Sequence, residues 1–247
     1  MNQLRKGSVL GCPVTVGNLT LVSDHIINAA KQEDYGYVCI ANVHMVTTAR
    51  RDMRLRPAME GAGIVTSDGM PLVWELRRQG YDEAERVAGP DLLVLLCELA
   101  QEEELPVYFF GGSVETIKRL QAAVAKRFPS LKVAGYESPP MIPQFPEVEP
   151  EVIERIKTSG AKIVFVGLGC PKQEFWMGAY SPHLPAVLIG VGAAFDFLAG
   201  TKQRAPGWMQ RAGLEWLFRL ASEPGRLWKR YLVTNSLFLW YLMRERF

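Results

Sequence analysis

Residues 161–176 read AKIVFVGLGCPKQEFW, and the fold is decided by how this stretch is read. Ile163, Val164, Phe165 and Val166, followed by Leu168, suit a strand buried on both faces of a parallel sheet. Gly167 and Gly169 come next, where a backbone without Cβ lets a ligand approach closely. Pro171 is suited to opening a helix. The first turn of that helix then delivers Lys172, Gln173 and Glu174 together. These offer a cation for phosphate, an amide for a base or sugar edge, and a carboxylate for a hydroxyl. The stretch reads as a ligand-binding strand-to-helix turn.

Outward from it, short apolar segments at 14–16, 38–41, 64–66, 107–110, 132–134 and 186–191 are strand candidates, and 163–166 joins them. Segments 71–79, 91–103, 113–128, 151–158 and 172–180 carry helical periodicity or good helix formers. Alternation of this kind predicts an α/β fold, a Rossmann-like, mainly parallel sheet flanked by helices. Ligands bind beyond the carboxyl ends of the strands in such sheets. Those ends read Ala41-Asn42-Val43-His44, Thr66-Ser67-Asp68-Gly69, Gly111-Gly112-Ser113, Gly167-Leu168-Gly169 and Gly190-Val191-Gly192. Residues 138–150 hold five prolines in 13 positions, so they form a surface loop.

After Gly200 the character changes. Residues 206–222 read as one amphipathic helix, Pro224-Gly225 as a break, and 226–243 as a second, strongly apolar helix. The apolar run 231–243 is 13 residues long and closed by Arg244 and Arg246, too short to span a bilayer but able to lie in its interface. The tail 201–247 carries nine Lys or Arg against three acids, while the preceding residues are net acidic. The division expected is therefore an α/β domain over 1–200 and a basic, apolar helical appendage over 201–247, whose charges read as a solvated face or as a lipid contact. An exposed apolar tail can also drive self-association into a homo-oligomer.

A net charge of +2 gives no sign of a nucleic-acid partner. Cys12, Cys39, Cys97 and Cys170 are scattered without a C-x-x-C pair, so neither a zinc site nor a redox dithiol is indicated. The N-terminal residues lack the apolar core of a signal peptide, so secretion by that route is not expected.

Asp68 reads either as a cap for the helix beginning near Pro71 or as a general base at the sheet edge. Asn42 and His44 end the neighbouring strand and face the same crevice or serve local structure. Gly111-Gly112-Ser113 is an anion nest or a plain Ser N-cap. None of the glycine pairs completes G-x-G-x-x-G, which disfavours nicotinamide chemistry. The chain has no D-x-D, so no metal or cofactor is expected, and a departing diphosphate must be met by arginines.

Six elements together resemble one family: Ala41-Asn42-Val43-His44-Met45-Val46, Ser67-Asp68-Gly69-Met70-Pro71, Phe110-Gly111-Gly112, Gly167-Leu168-Gly169-Cys170-Pro171-Lys172-Gln173-Glu174, Gly190-Val191-Gly192-Ala193-Ala194-Phe195-Asp196 and Arg204-Ala205-Pro206. They are similar to the WecG/TagA/CpsF glycosyltransferases, in order and over nearly the whole chain. The resemblance implies an inverting, metal-independent enzyme. Such an enzyme moves a hexose or N-acetylhexosamine from a UDP-sugar to a polyprenyl-diphosphate-linked sugar for cell-surface polysaccharide. It implies Asp68 as base in a catalytic domain over 1–200, nucleotide contacts at the turn with Lys172, Gln173 and Glu174, chiefly Gln173, and at Asp196, and a membrane-docking tail on the cytoplasmic inner face that brings Arg219 and Arg226 over the site; the strand-end glycines Gly111, Gly112, Gly167 and Gly169 complete the expected donor side. Ile40 stands where teichoic-acid members carry Thr, and the Ala41 to Val46 element looks closer to members that build exopolysaccharide. Two rivals stay open, a Rossmann-type nucleotide-sugar oxidoreductase and a non-catalytic UDP-binding module on the membrane surface.

Overall fold

The structure, a computed structural model, describes residues 4–246; the side chains of Arg211, Arg226, Arg230 and Arg246 lie outside the described residues, and with them the role expected of Arg226. β1 (Lys6–Val9) and β2 (Cys12–Thr15) form an antiparallel hairpin. Its two-residue turn places Leu10 at φ 52° and Gly11 at φ 75°, the left-handed pair that matches strand twist in a tight hairpin. The body continues through α1 (Leu19–Lys31), β3 (Gly36–Ala41), α2 (Val43–Arg51), α3 (Leu55–Glu60), β4 (Ile64–Ser67), α4 (Met70–Arg78) and α5 (Gly89–Glu102). β5 (Val107–Gly111), α6 (Val114–Arg127), β6 (Val133–Glu137), α7 (Pro150–Thr158), β7 (Ile163–Gly167), α8 (Lys172–Tyr180), β8 (Val187–Gly190) and α9 (Ala194–Leu198) follow. α10 (Gly207–Arg211), α11 (Glu215–Ser222) and α12 (Pro224–Arg246) close the chain.

Six strands form one sheet in the order β4-β3-β8-β7-β5-β6, and every pair is parallel. The segment 14–16 is a correction to the sequence reading: it belongs to the hairpin, outside this sheet. There the Thr15 hydroxyl accepts the Val65 N–H at 3.0 Å and so covers the β4 edge. Side chains alternate across the sheet with period two. Cys39, Ala41, Val65, Phe110, Val166 and Leu188 face one core, with α2, α3, α4 and α8. Val38, Ile40, Ile64, Phe109, Phe165 and Ile189 face the other, with α1, α5 and α6. On the first side Trp176 stacks on Phe110 at 4.5 Å and on Tyr180 at 4.3 Å, which fixes α8 against the sheet.

The tail helices pack on the first face. Phe238 of α12 enters that core, and Arg50 of α2 pairs with Glu245 at 3.2 Å while lying over the Tyr241 ring. The single helix expected over 206–222 is two helices, α10 and α11. Gly213 separates them at φ 71°, the left-handed position with which glycine ends a helix, and a Cβ there would stand 3.0 Å from the Met70 side chain. Pro224 and Gly225 open α12 instead of preceding it, as the ring's fixed φ allows at a first turn. Among the described residues no helix is long and apolar enough to cross a membrane.

Candidate active site

The carboxyl end of β4 is held by its neighbours. Asp68 N–H donates to the Ala41 carbonyl at 2.7 Å, and the Ser67 hydroxyl donates to the Glu85 carbonyl at 2.8 Å. The Asp68 side chain is not a helix cap, because α4 begins at Gly69 with no side-chain cap bond. Its carboxylate instead accepts from Arg86 Nη2 at 3.2 Å, and the same nitrogen donates to Glu215 of α11 at 2.6 Å. Burial pushes the Asp68 carboxyl up to about 6; Arg86 opposes that rise, Glu215 adds to it, and Arg219 and Arg204 oppose it. A carboxylate with that affinity for protons can accept one near neutral pH.

Asp68 opens into a cavity of about 480 Å³. Asn42, His44 and Arg86 of the body and Glu215 and Arg219 of α11 share its lining with an apolar wall of Trp74, Trp216, Phe238 and Leu239. Asn42 ends β3 and caps α2, its Oδ1 accepting the Met45 N–H at 3.1 Å. That bond explains why α2 starts there despite its β-branched residues. The Arg219 guanidinium lies 5.8 Å from the Phe197 ring, above the same edge. Ile40, two residues before Asn42, is buried in the opposite core, where a Cβ on Gly89 would lie 3.5 Å from it.

The glycine turns stand at the ends of the adjacent central strands. Gly111, at φ 118°, approaches Gly167 so closely that an added Cβ would lie 2.7 Å from its backbone carbon. A Cβ on Gly167 would lie 2.5 Å from the Phe195 ring. These two glycines are required by chain packing against chain, whereas Gly169, at φ 79°, has open space beside it. Ser113 caps α6 by accepting the Thr116 N–H at 3.0 Å, and Thr116 Oγ1 donates to Asp196 at 3.2 Å beneath Gly112.

Lys172 opens α8 half-buried, while Gln173 and Glu174 point inward. Gln173 Nε2 donates to Glu174 at 2.8 Å and to the Gly190 carbonyl at 3.0 Å, and Gln173 Oε1 accepts the Gly169 N–H at 3.1 Å. The amide thus ties the β7 turn to the β8 turn. Complete burial pushes the Glu174 carboxyl up to about 7, against the hydrogen bonds from Gln173, its own backbone and Cys170 that favour the ionised form. Asp196 also takes the Thr201 hydroxyl at 3.3 Å and Lys202 at 3.5 Å.

The structure therefore gathers Asn42, His44, Asp68 and Arg219 in one cavity, and sets Gly111, Gly112, Gly167, Gly169, Lys172, Gln173, Glu174 and Asp196 along the neighbouring strand ends. Sequence reading missed Arg86, Glu215 and the Asp91–Arg204 pair, whose two bonds measure 2.5 and 2.6 Å. Arg86 sits in no local motif. Glu215 had one signal, an acid in a basic tail.

Incomplete dinucleotide turns, a carboxylate that titrates near neutrality and a guanidinium over one cavity suit group transfer better than hydride transfer. This combination on a parallel sheet defines a Rossmann-like glycosyl transferase. The chain belongs to the glycosyl transferase WecG/TagA/CpsF family, matched over residues 7–247. It is similar to the N-acetylglucosaminyldiphosphoundecaprenol N-acetyl-beta-D-mannosaminyltransferase of Bacillus spizizenii, 30% identical over 230 residues, 92% of this chain and 87% of that protein. The Bacillus subtilis protein of the same name is 29% identical over 236 residues, 95% of this chain and 90% of that one.

Proposed function

We propose that the protein transfers a hexose or N-acetylhexosamine from a UDP-sugar to a polyprenyl-diphosphate-linked sugar in bacterial cell-surface polysaccharide synthesis. The observation that carries this reading is Asp68, held at the sheet edge on a cavity that also receives Arg219, with its carboxyl pushed up to about 6 by burial. In one displacement Asp68 takes the acceptor hydroxyl proton, that oxygen bonds to the sugar C1, and the C1–O bond to UDP breaks. A single displacement inverts the anomeric centre. The leaving diphosphate gathers charge, and Arg219 neutralises it without a metal, the part that the resemblance also gives to Arg226.

Gly112, Gly169, Lys172 and Asp196 line the donor side in this reading, with Gln173 and Glu174 shaping the turn from within. Asn42 and His44 border the acceptor side. Residues 201–247 act as the appendage that docks on anionic lipid. Trp208, Trp228, Leu232, Leu239, Trp240 and Met243 are exposed on its helices, beside its excess of Lys and Arg. Docked through that surface, the enzyme would meet its anchored acceptor on the inner face of the membrane in this reading.

Calorimetric titration with UDP, UDP-glucose, UDP-N-acetylglucosamine and NAD, all in EDTA, tests the reading. Binding of UDP without metal is expected. NAD binding without UDP binding overturns it in favour of an oxidoreductase.

A further inference from the structure

Arg86 is shared unequally. Its Nη2 gives Glu215 a short bond of 2.6 Å and Asp68 a long one of 3.2 Å, and its Nε reaches only the Asp68 backbone carbonyl at 3.4 Å. The two carboxylates come from opposite sides of the cavity, Asp68 from the end of β4 and Glu215 from the first turn of α11. All three side chains are less than a quarter exposed, at 17% for Arg86, 20% for Asp68 and 14% for Glu215, so water screens them weakly.

A base that must accept a proton is hindered by a guanidinium bonded fully to it, because the pairing favours the carboxylate that already exists. Glu215 relieves this by taking the better of the two bonds. We propose that Glu215 is a positioning residue of the transferase: by drawing Arg86 off Asp68, it makes seating of α11 the step that leaves the Asp68 carboxylate able to take the acceptor proton. This rests on the proposed role of Asp68 as the base.

Other charges surround Asp68. Arg219 approaches from α11 and Arg204 from the segment before α10, both favouring the ionised carboxylate. Arg204 is already engaged bidentately by Asp91. His44 of α2, Glu75 of α4 and Tyr231 of α12 are the other titratable groups on the cavity wall among the described residues. Glu75 is bonded to Arg78 at 2.6 Å and so is turned to another partner. Among the described residues, only Glu215 meets the same guanidinium nitrogen as Asp68. With α11 lifted away, Arg86 is free to close on Asp68 alone, and the base is held idle until the tail is in place.

The test is the pH dependence of kcat for the full-length enzyme, using a UDP-sugar and a short-chain polyprenyl-diphosphate sugar, in wild type, Glu215→Gln, Glu215→Asp and Asp68→Asn. In wild type the rate should climb through about pH 6, where Asp68 ionises. Glu215→Gln keeps the size of the side chain and loses its charge, and should move that midpoint about one unit lower while lowering the plateau. Glu215→Asp, which keeps the charge, should hold the midpoint. Carboxyl 13C titration of aspartate-labelled protein, with the Asp68 signal identified by its loss in Asp68→Asn, should show the same displacement without reference to turnover. A Glu215→Gln midpoint and Asp68 titration equal to wild type, even with reduced activity, overturn the proposal and leave Glu215 as a fastener of α11. Full activity in Asp68→Asn overturns the underlying assignment of the base instead.

Discussion

On the glycine side of the edge, an added Cβ at Gly111 would stand 2.7 Å from the Gly167 backbone, and Gln173 has every polar atom bonded within the turns. On the tail side, Trp208, Leu232, Leu239 and Met243 are each more than half exposed, and the link to the body at Asp68 is one shared guanidinium. The first region is finished by the fold. The second is assembled from side chains that a terminal segment brings to the edge, and it leaves large apolar side chains exposed. Under the proposed function, the first region would hold a dissolved donor and the second would meet an anchored acceptor.

Mutations separate the two regions. The largest effect is expected from Asp68→Asn, which should slow transfer about 1000-fold while UDP affinity, measured by calorimetry, stays as in wild type. Retained turnover there breaks the division of labour. Next comes Gly111→Ala, which forces a side chain into backbone at φ 118° and should cost about 3 kcal/mol of stability in denaturant unfolding. Arg219→Ala should lower kcat about 100-fold with little change in melting temperature, the reverse of the glycine variant.

Smaller effects sharpen the contrast. Glu174 titrates at about 7 when folded against an ordinary 4.5, so the fold favours its neutral acid. Its contribution is complete below pH 4.5 and is lost as pH rises through about 7. Glu174→Gln should therefore flatten the fall in melting temperature across that window and raise it by about 3 °C at pH 8. Trp240→Ser, on the exposed face of α12, should weaken binding to anionic vesicles about fivefold and leave UDP binding unchanged.

The same contrast explains what the sequence disclosed. The parallel sheet was legible because buried strands demand apolar runs and their turns demand glycine, as in residues 163–169. Asp68 and Asn42 were found because they directly follow strands. The hairpin turn at Leu10-Gly11 was missed, since a leucine in the left-handed region carries no turn signature. The break at Gly213 was missed because the apolar periodicity runs on through it, although a glycine in the left-handed region, here at φ 71°, ends a helix. Arg86 and Glu215 are 129 residues apart, and nothing local in either segment announces a partner. Residues forced by backbone geometry are readable one at a time, while residues that meet across a cavity are not.

The most direct test of the account is a transfer reaction in EDTA with α-linked UDP-sugars and a short-chain polyprenyl-diphosphate N-acetylhexosamine, following UDP release and the anomeric configuration of the product by NMR. The account predicts acceptor-dependent release of UDP and a β-linked disaccharide. An α-linked product, or a strict need for added metal, contradicts it.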